Sequence, residues 1–273
     1  MLEFDRSTPV VMTFSSHDPC GGSGIQADIE TLLSIGCHCV PIITAMTAQD
    51  TSEIKDIVTM DSTLLIEQAR AILEDMPVRA IKLGMLGSVE IVEAIHTILR
   101  DYENIPVVLD PVTTMGPHAE VDLDYLIGAM RTLLLSQATI VTPNTVEAHH
   151  LAPEADTIDA CAAEILDNGA EYVLITGTHT SAGKVINNLY STHRAIKQYE
   201  WPRLPAHYQG AGATLASAIA GYLAHGLTIL EAVEQAQAFT WKSLEQARRL
   251  GMGRLIPNRV HWCTENNNNK VGQ

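Results

Sequence analysis

Four short segments of this chain combine small, flexible and polar residues as sites for anionic ligands do. In Gln209-Gly210-Ala211-Gly212-Ala213-Thr214-Leu215-Ala216, two glycines run without interruption into a small-residue helix. Flanking glycines let consecutive amides point at one anion, and the helix dipole adds partial positive charge there. Such a nest holds the charge that develops when a phosphoryl group is transferred. A glycine-rich cap with close helix packing is the plainer reading of the same residues. Asp18-Pro19-Cys20-Gly21-Gly22-Ser23-Gly24 carries three glycines ahead of a second helix. It permits positive φ and close backbone approach to a ligand, or simply a tight turn. It does not match the G-x-x-x-x-G-K-[ST] pattern of a P-loop.

Thr44-Ala45-Met46-Thr47-Ala48-Gln49-Asp50-Thr51 reads as a loop of small polar residues after a strand. Gln49 offers donors and an acceptor on one side chain, which suits the edge of a heteroaromatic ring and equally suits solvent. In Thr142-Pro143-Asn144-Thr145-Val146-Glu147, two polar groups lie three apart at a helix start. They could face one spot and hold Mg²⁺ through waters near a phosphate, or close a capping box with Asn144 as cap. Lys82 reads as a salt-bridge partner near the sheet, Met85 as core, and His149-His150 as helix surface.

The elements that must position these segments alternate. Short β-branched runs at 9–14, 39–45, 56–60, 79–83, 106–109, 139–142 and 172–176 predict strands. Segments of helical period at 25–35, 63–74, 89–100, 123–135, 158–168, 211–225 and 229–249 predict helices, and 184–190 with 193–199 predicts an antiparallel edge pair. That alternation is the pattern of βαβ units around a parallel sheet, with ligands beyond the carboxyl ends of its strands. No internal repeat or linker divides the chain, and the Asn-rich segment 264–273 is expected to be a disordered tail.

Composition narrows the function classes. Hydrophobic residues make up 46% and charged residues 18% of the 273, enough for a three-layer core. The net charge of −15 would repel a nucleic-acid backbone or an anionic lipid surface, so neither is an expected partner. Five scattered cysteines with no C-x-x-C pair read as reduced thiols. With no signal-like start or spanning run, the expected location is the cytoplasm.

In order and separation these segments resemble the hydroxymethylpyrimidine/phosphomethylpyrimidine kinases of thiamine biosynthesis, in the ribokinase-like superfamily. The specific matches are Asp-Pro-x-Gly-Gly-x-Gly-Ile-Gln-Ala-Asp at 18–28 and Ile-Thr-Ala-x-x-Ala-Gln-x-Thr at 43–51. Lys82-Leu83-Gly84-Met85-Leu86, Val108-Leu109-Asp110-Pro111-Val112 and Thr142-Pro143-Asn144 with Glu147-Ala148 extend the match over roughly 10–247. The resemblance implies one three-layer α/β/α kinase domain over 1–263, with ATP and Mg²⁺. The phosphoryl acceptors would be 4-amino-5-hydroxymethyl-2-methylpyrimidine and then its monophosphate; it leaves a homodimer open. It implies that Gln49 hydrogen-bonds the pyrimidine, that Met85 and Val112 line its pocket, and that Asp18, Gly21 and Gly22 shape the floor. Asn144, Glu147 and Asp110 would serve the phosphate and magnesium side, with Asp110 and Glu147 as metal residues, and Gly210 and Gly212 would frame the anion hole.

The chain also departs from that pattern. Where the family usually reads Gly-Thr-Gly-Cys, with the cysteine as base, this chain has Gly210-Ala211-Gly212-Ala213, and a methyl group accepts no proton. The lysine of Lys-Gly-Gly-His is Thr176, and Thr113 to His118 contains no lysine. A non-catalytic pyrimidine-binding relative and a kinase for another vitamin alcohol, such as pyridoxine or pyridoxal, are the alternatives.

Overall fold

The run Val10–His17 (β1) is apolar at Val10, Val11, Met12 and Phe14 and buried on both faces, as a central parallel strand must be. In the computed structural model, which describes residues 7–113, 122–179 and 183–263, nine strands form one sheet. The others are β2 (His38–Gln49), β3 (Ile54–Thr59), β4 (Val78–Leu83), β5 (Val107–Leu109), β6 (Ile140–Val141), β7 (Tyr172–His179), β8 (Lys184–Ser191) and β9 (Arg194–Pro202). Their order is β3-β2-β1-β4-β5-β6-β7-β8-β9. The six from β2 to β7 in that order pair in parallel, while β3, β8 and β9 add antiparallel edges.

Helices cover both faces. Leu32 of α1 (Gly24–Ser34) and the apolar faces of α7 (Ala211–Ala224) and α8 (Ile229–Glu245) pack with Val11, Ala80, Val108 and Ile140 on one side. On the other, Phe14, Ile81, Leu83 and Leu109 meet α2 (Ser62–Asp75), α3 (Val89–Asp101), α4 (Leu123–Ala129), α5 (Thr145–Leu151) and α6 (Ile158–Asp167). In α3 the buried set Ile91, Val92, Ala94, Ile95, Ile98 and Leu99 keeps the three-to-four spacing of a core-facing helix. The run of small residues in α7 lets that helix lie close to the sheet and to α1; a side-chain carbon on Gly221 would stand 3.1 Å from Leu32 Cδ2.

Three expectations are corrected. The segment 44–49, read as a loop, continues β2, because Ala45 to Gln49 pairs with β3. The helix expected over 123–135 ends as α-helix at Ala129 and proceeds through a π turn (Met130–Leu134) and a 3₁₀ turn (Leu135–Gln137). There the Thr132 hydroxyl donates to the Gly128 carbonyl and competes with the helical ladder. The last helix stops at Glu245 rather than Arg249, because Arg248 and Ile256 exchange two backbone hydrogen bonds in an extended bridge. The expected tail, 264–273, lies outside the described residues.

Gly24 sets how α1 leaves the β1 loop. Its φ is +59°, and a side-chain carbon there would overlap the carbonyl oxygen of Ser16. Gly24→Ala is therefore expected to lose about 2 kcal/mol or more of stability, read as a lowered denaturation midpoint. An unchanged midpoint would contradict this account of the turn.

Candidate active site

The carboxyl ends of β1, β4, β5, β6 and β7 open into one cavity of about 380 Å³, closed on the far side by the start of α7. Parallel strands place their terminal residues on a common rim, so segments far apart in sequence meet here. Ser15 and Ser16 come from β1, Gly84 and Met85 from beyond β4, Asp110 and Val112 from beyond β5, Asn144 and Glu147 from beyond β6, and Thr176 from β7. Gly210, Ala211, Gly212 and Ala213 form the opposite wall.

Gly210 caps α7 in the left-handed region, φ +73°, which only glycine adopts without strain. No side chain caps that helix start, so its first amides remain available to an anion. A side-chain carbon on Gly212 would lie 3.5 Å from Asp110 Oδ1, which places that carboxylate beside the nest. Asp110 is 4% exposed. Burial pushes it up to about 6, Lys82 pulls it down and Asp28 pushes it up.

Lys82 belongs to this wall as well, beyond the salt-bridge reading given to it. Its ammonium is buried and donates to Ser15 Oγ and Asp28 Oδ1, each at 2.9 Å. Ser217 of α7 donates to the same Asp28 oxygen at 2.6 Å. Gly84 makes room for this arrangement, since a side-chain carbon there would stand 2.6 Å from Lys82 Nζ.

Asn144 and Glu147 close a full capping box at the start of α5. The Asn144 side chain accepts from the amides of Val146 and Glu147, and Glu147 Oε2 accepts from the Asn144 amide at 2.9 Å. Both also line the cavity, so the structural and functional readings coincide at these residues. Burial, then the Asp110 charge, push Glu147 up to about 8. Two carboxylates lining one cavity, each held above its ordinary range, are a donor set that a divalent cation would relieve. Among the described residues no group of three or more His, Cys, Asp or Glu side chains could hold a metal ion.

The other candidates stand outside the wall. Asp18 is buried and engaged by its own loop and by Gln209: Oδ1 accepts from the Cys20 amide, and Oδ2 from the Ser23 amide and hydroxyl and from Gln209 Nε2. Gly21 and Gly22 pack behind the nest, their carbonyls accepting from Arg259. Gln49 ends β2 away from the cavity lining, with its Oε1 3.2 Å from the Thr47 hydroxyl.

Two arginines were missed. Buried Arg259 ties the glycine loop to α7, and Arg254 lines the cavity. Only the glycines around Arg254 hinted at a turn; nothing local to Arg259 marks it as buried.

A second cavity, about 570 Å³, adjoins the first and shares Tyr208 and Ala211 with it. Its walls include Val185, Leu215 and the pair Trp201 and Trp241, whose rings stack with centroids 6.2 Å apart. Gln237 Oε1 accepts from Asn187 Nδ2 and Trp201 Nε1, which locks the polar side of this wall. Its size and mixed lining suit a flat heteroaromatic group.

Raised carboxylates make stability depend on pH in one direction. The folded protein keeps a proton on Glu147 that the unfolded chain, with its ordinary 4.5, has released. That contribution is complete below about pH 4.5 and is lost as pH rises through about 8. Without magnesium, the melting temperature of Glu147→Gln minus that of the wild type should therefore increase from about pH 6 to about pH 9. A difference that stays level would show that Glu147 is not held protonated.

Comparison with known proteins gives three kinds of match. A family model described as phosphomethylpyrimidine kinase matches residues 18–258. The chain is 33% identical over 251 residues to a hydroxymethylpyrimidine/phosphomethylpyrimidine kinase of Mycobacterium tuberculosis, covering 90% of this chain and 91% of that one. It is 33% identical over 261 residues to the thiamine biosynthesis bifunctional protein ThiED of Geobacter sulfurreducens, covering 92% of this chain but 53% of that protein, so it spans about half of that relative. Among solved structures, an ADP complex of Bacillus subtilis pyridoxal kinase is similar with a TM-score of 0.85 and 27% identity, over 94% of this chain and 99% of that one. A phosphomethylpyrimidine kinase from Clostridium difficile is similar with a TM-score of 0.71 and 31% identity, over 85% and 98%.

Proposed function

The chain belongs to the phosphomethylpyrimidine kinase family, and from that membership we propose how its site works. It is a phosphotransferase with a ribokinase-like fold. The reaction is transfer of the ATP γ-phosphoryl group to the hydroxymethyl oxygen of 4-amino-5-hydroxymethyl-2-methylpyrimidine, then a second transfer to the phosphate of the product. The observation that carries this reading is the uncapped amide nest at Gly210 to Ala213, in one cavity with Lys82 and Asp110. There the nest meets the developing charge of the transferring group, and α7 adds its dipole.

The aromatic cavity beyond Tyr208 and Ala211 would take the adenine and ribose, which leads the phosphates toward the nest. Met85 and Val112 would flank the pyrimidine, and Asp18, Gly21 and Gly22 would support its floor from behind. Gln49, at the end of β2, would reach the ring from the acceptor side by turning its amide from Thr47. Asp110 and Glu147 would hold Mg²⁺, whose chemistry is to neutralise phosphate charge during transfer. Asn144 fixes Glu147 through the capping box.

Ala213 contributes a methyl group to the wall and no proton acceptor. Catalysis then rests on positioning and charge stabilisation. Supplying a base should add to them. Ala213→Cys is expected to raise kcat by at least about tenfold at a pH where the thiol ionises, with KM for the alcohol little changed. An unchanged kcat would mean that proton removal does not limit this enzyme.

The higher TM-scores to pyridoxal kinases favour a second reading, in which pyridoxal is the acceptor. One experiment separates the two. Purified protein with Mg-ATP is assayed against the pyrimidine alcohol and against pyridoxal, with Gly212→Asp as a control that places a carboxylate in the nest. The expected result is a higher kcat/KM for the pyrimidine, reduced by Gln49→Ala. Turnover of neither acceptor above the control would sink the kinase reading, and preference for pyridoxal with no effect of Gln49→Ala would establish the second.

A further inference from the structure

The catalytic cavity has two cationic side chains among its described lining residues, Lys82 and Arg254. Lys82 is paired with Asp28 and buried. Arg254 has no carboxylate partner among the described residues, and its side chain is exposed at the cavity wall. In a protein of net charge −15, an arginine that lines the same cavity as the amide nest and has no carboxylate partner stands out as a candidate anion-binding group.

The backbone fixes where the turn that carries it sits. Arg254 N donates to Thr51 O at 2.8 Å, and Gly253 N donates to Thr51 Oγ1 at 2.9 Å. Gly251 is pressed on the same residue, since a side-chain carbon there would meet Thr51 Oγ1 at 2.5 Å. The turn 251–254 is thus seated two residues beyond Gln49, on the strand end assigned above to the acceptor. Arg254 is absent from the wall of the aromatic cavity assigned to the nucleotide.

We propose that Arg254 is the acceptor-phosphate residue of this enzyme: it binds the phosphate already carried by the pyrimidine monophosphate in the second transfer and so sets the preference between the two acceptors. This rests on the kinase reading given above. An arginine suits the task because its planar fork meets two phosphate oxygens at once, and it stays charged at any working pH. The alcohol, with no phosphate, makes no such contact. In the second transfer an acceptor phosphate oxygen attacks the γ-phosphorus, the new P–O bond forms as the bond to ADP breaks, and Arg254 keeps its charge and its protons throughout.

The test compares wild type, Arg254→Ala and Arg254→Lys in the full chain with Mg-ATP. The quantity read is kcat/KM for the monophosphate divided by kcat/KM for the alcohol. It should fall about 10- to 100-fold in Arg254→Ala, the loss of a charge-assisted contact, and recover in part in Arg254→Lys. Calorimetry with the monophosphate and the alcohol, without nucleotide, should show the same loss in the affinity ratio. A ratio unchanged in both measurements overturns the assignment, even if both activities fall together. A wild type that phosphorylates neither acceptor would end the kinase reading, while the calorimetric ratio would still decide whether Arg254 binds the phosphate.

Discussion

Two glycine turns that meet backbone to backbone hold this site together. Gly210 approaches the carbonyl of Gly22 so closely that any side chain on residue 210 would overlap it. Such contact between two polar backbones needs donors to share, and Arg259 supplies them: Nη2 donates to the Gly22 carbonyl, Nη1 to the Gly21 carbonyl at 3.2 Å, and Nε to the Thr214 hydroxyl at 2.9 Å. Glu30 balances the charge at 3.1 Å from Nη1. On the other flank Gln209 reaches Asp18 at 2.8 Å. The two turns are therefore tied together from both flanks, and in the proposed reaction such mutual fixing is what positioning catalysis requires.

Beneath that piece lies a second constraint, the buried pair Lys82 and Asp28. Removing two charges from water is costly, and breaking such a pair by deleting one partner costs roughly 3–5 kcal/mol. Here the pair joins three elements: Lys82 from β4, Asp28 from α1, and Ser217 of α7 through its hydroxyl. Asp28 Oδ2 is buried with no hydrogen-bond partner among the described residues, so the pair is not ideally satisfied. The pair also acts on the site, because Lys82 lowers the pKa of Asp110 against burial. A cation inside the sheet keeps a carboxylate usable at the rim.

Alternation of apolar runs and helical periods made the βαβ order legible, because each strand and helix buries its own local pattern. The capping box was legible for the same reason: Asn144 and Glu147 satisfy each other within one turn. Gln49 was placed in a loop because Thr44 to Gln49 has little strand character of its own, and its pairing depends on β3. Lys82 was undervalued and Arg259 unseen because their partners lie far away: 54 residues separate Lys82 from Asp28, and 238 separate Arg259 from Gly21. Burial created by distant segments leaves no local signature.

The departures at Thr176 and Ala213 look like losses when compared position by position, yet a phosphate responds to charge in space rather than in sequence. Thr176 still lines the cavity, but its hydroxyl points to the Pro143 carbonyl at 3.4 Å. On the proposed acceptor side the chain carries Arg254, delivered by a turn whose glycines let it sit against Thr51. An arginine on a seated turn would meet phosphate differently from a lysine on a strand, because a planar fork grips two oxygens where an ammonium acts as a point charge. Ala213 offers no proton acceptor, so in the proposed reaction this departure bears on proton removal more than on the binding of phosphate.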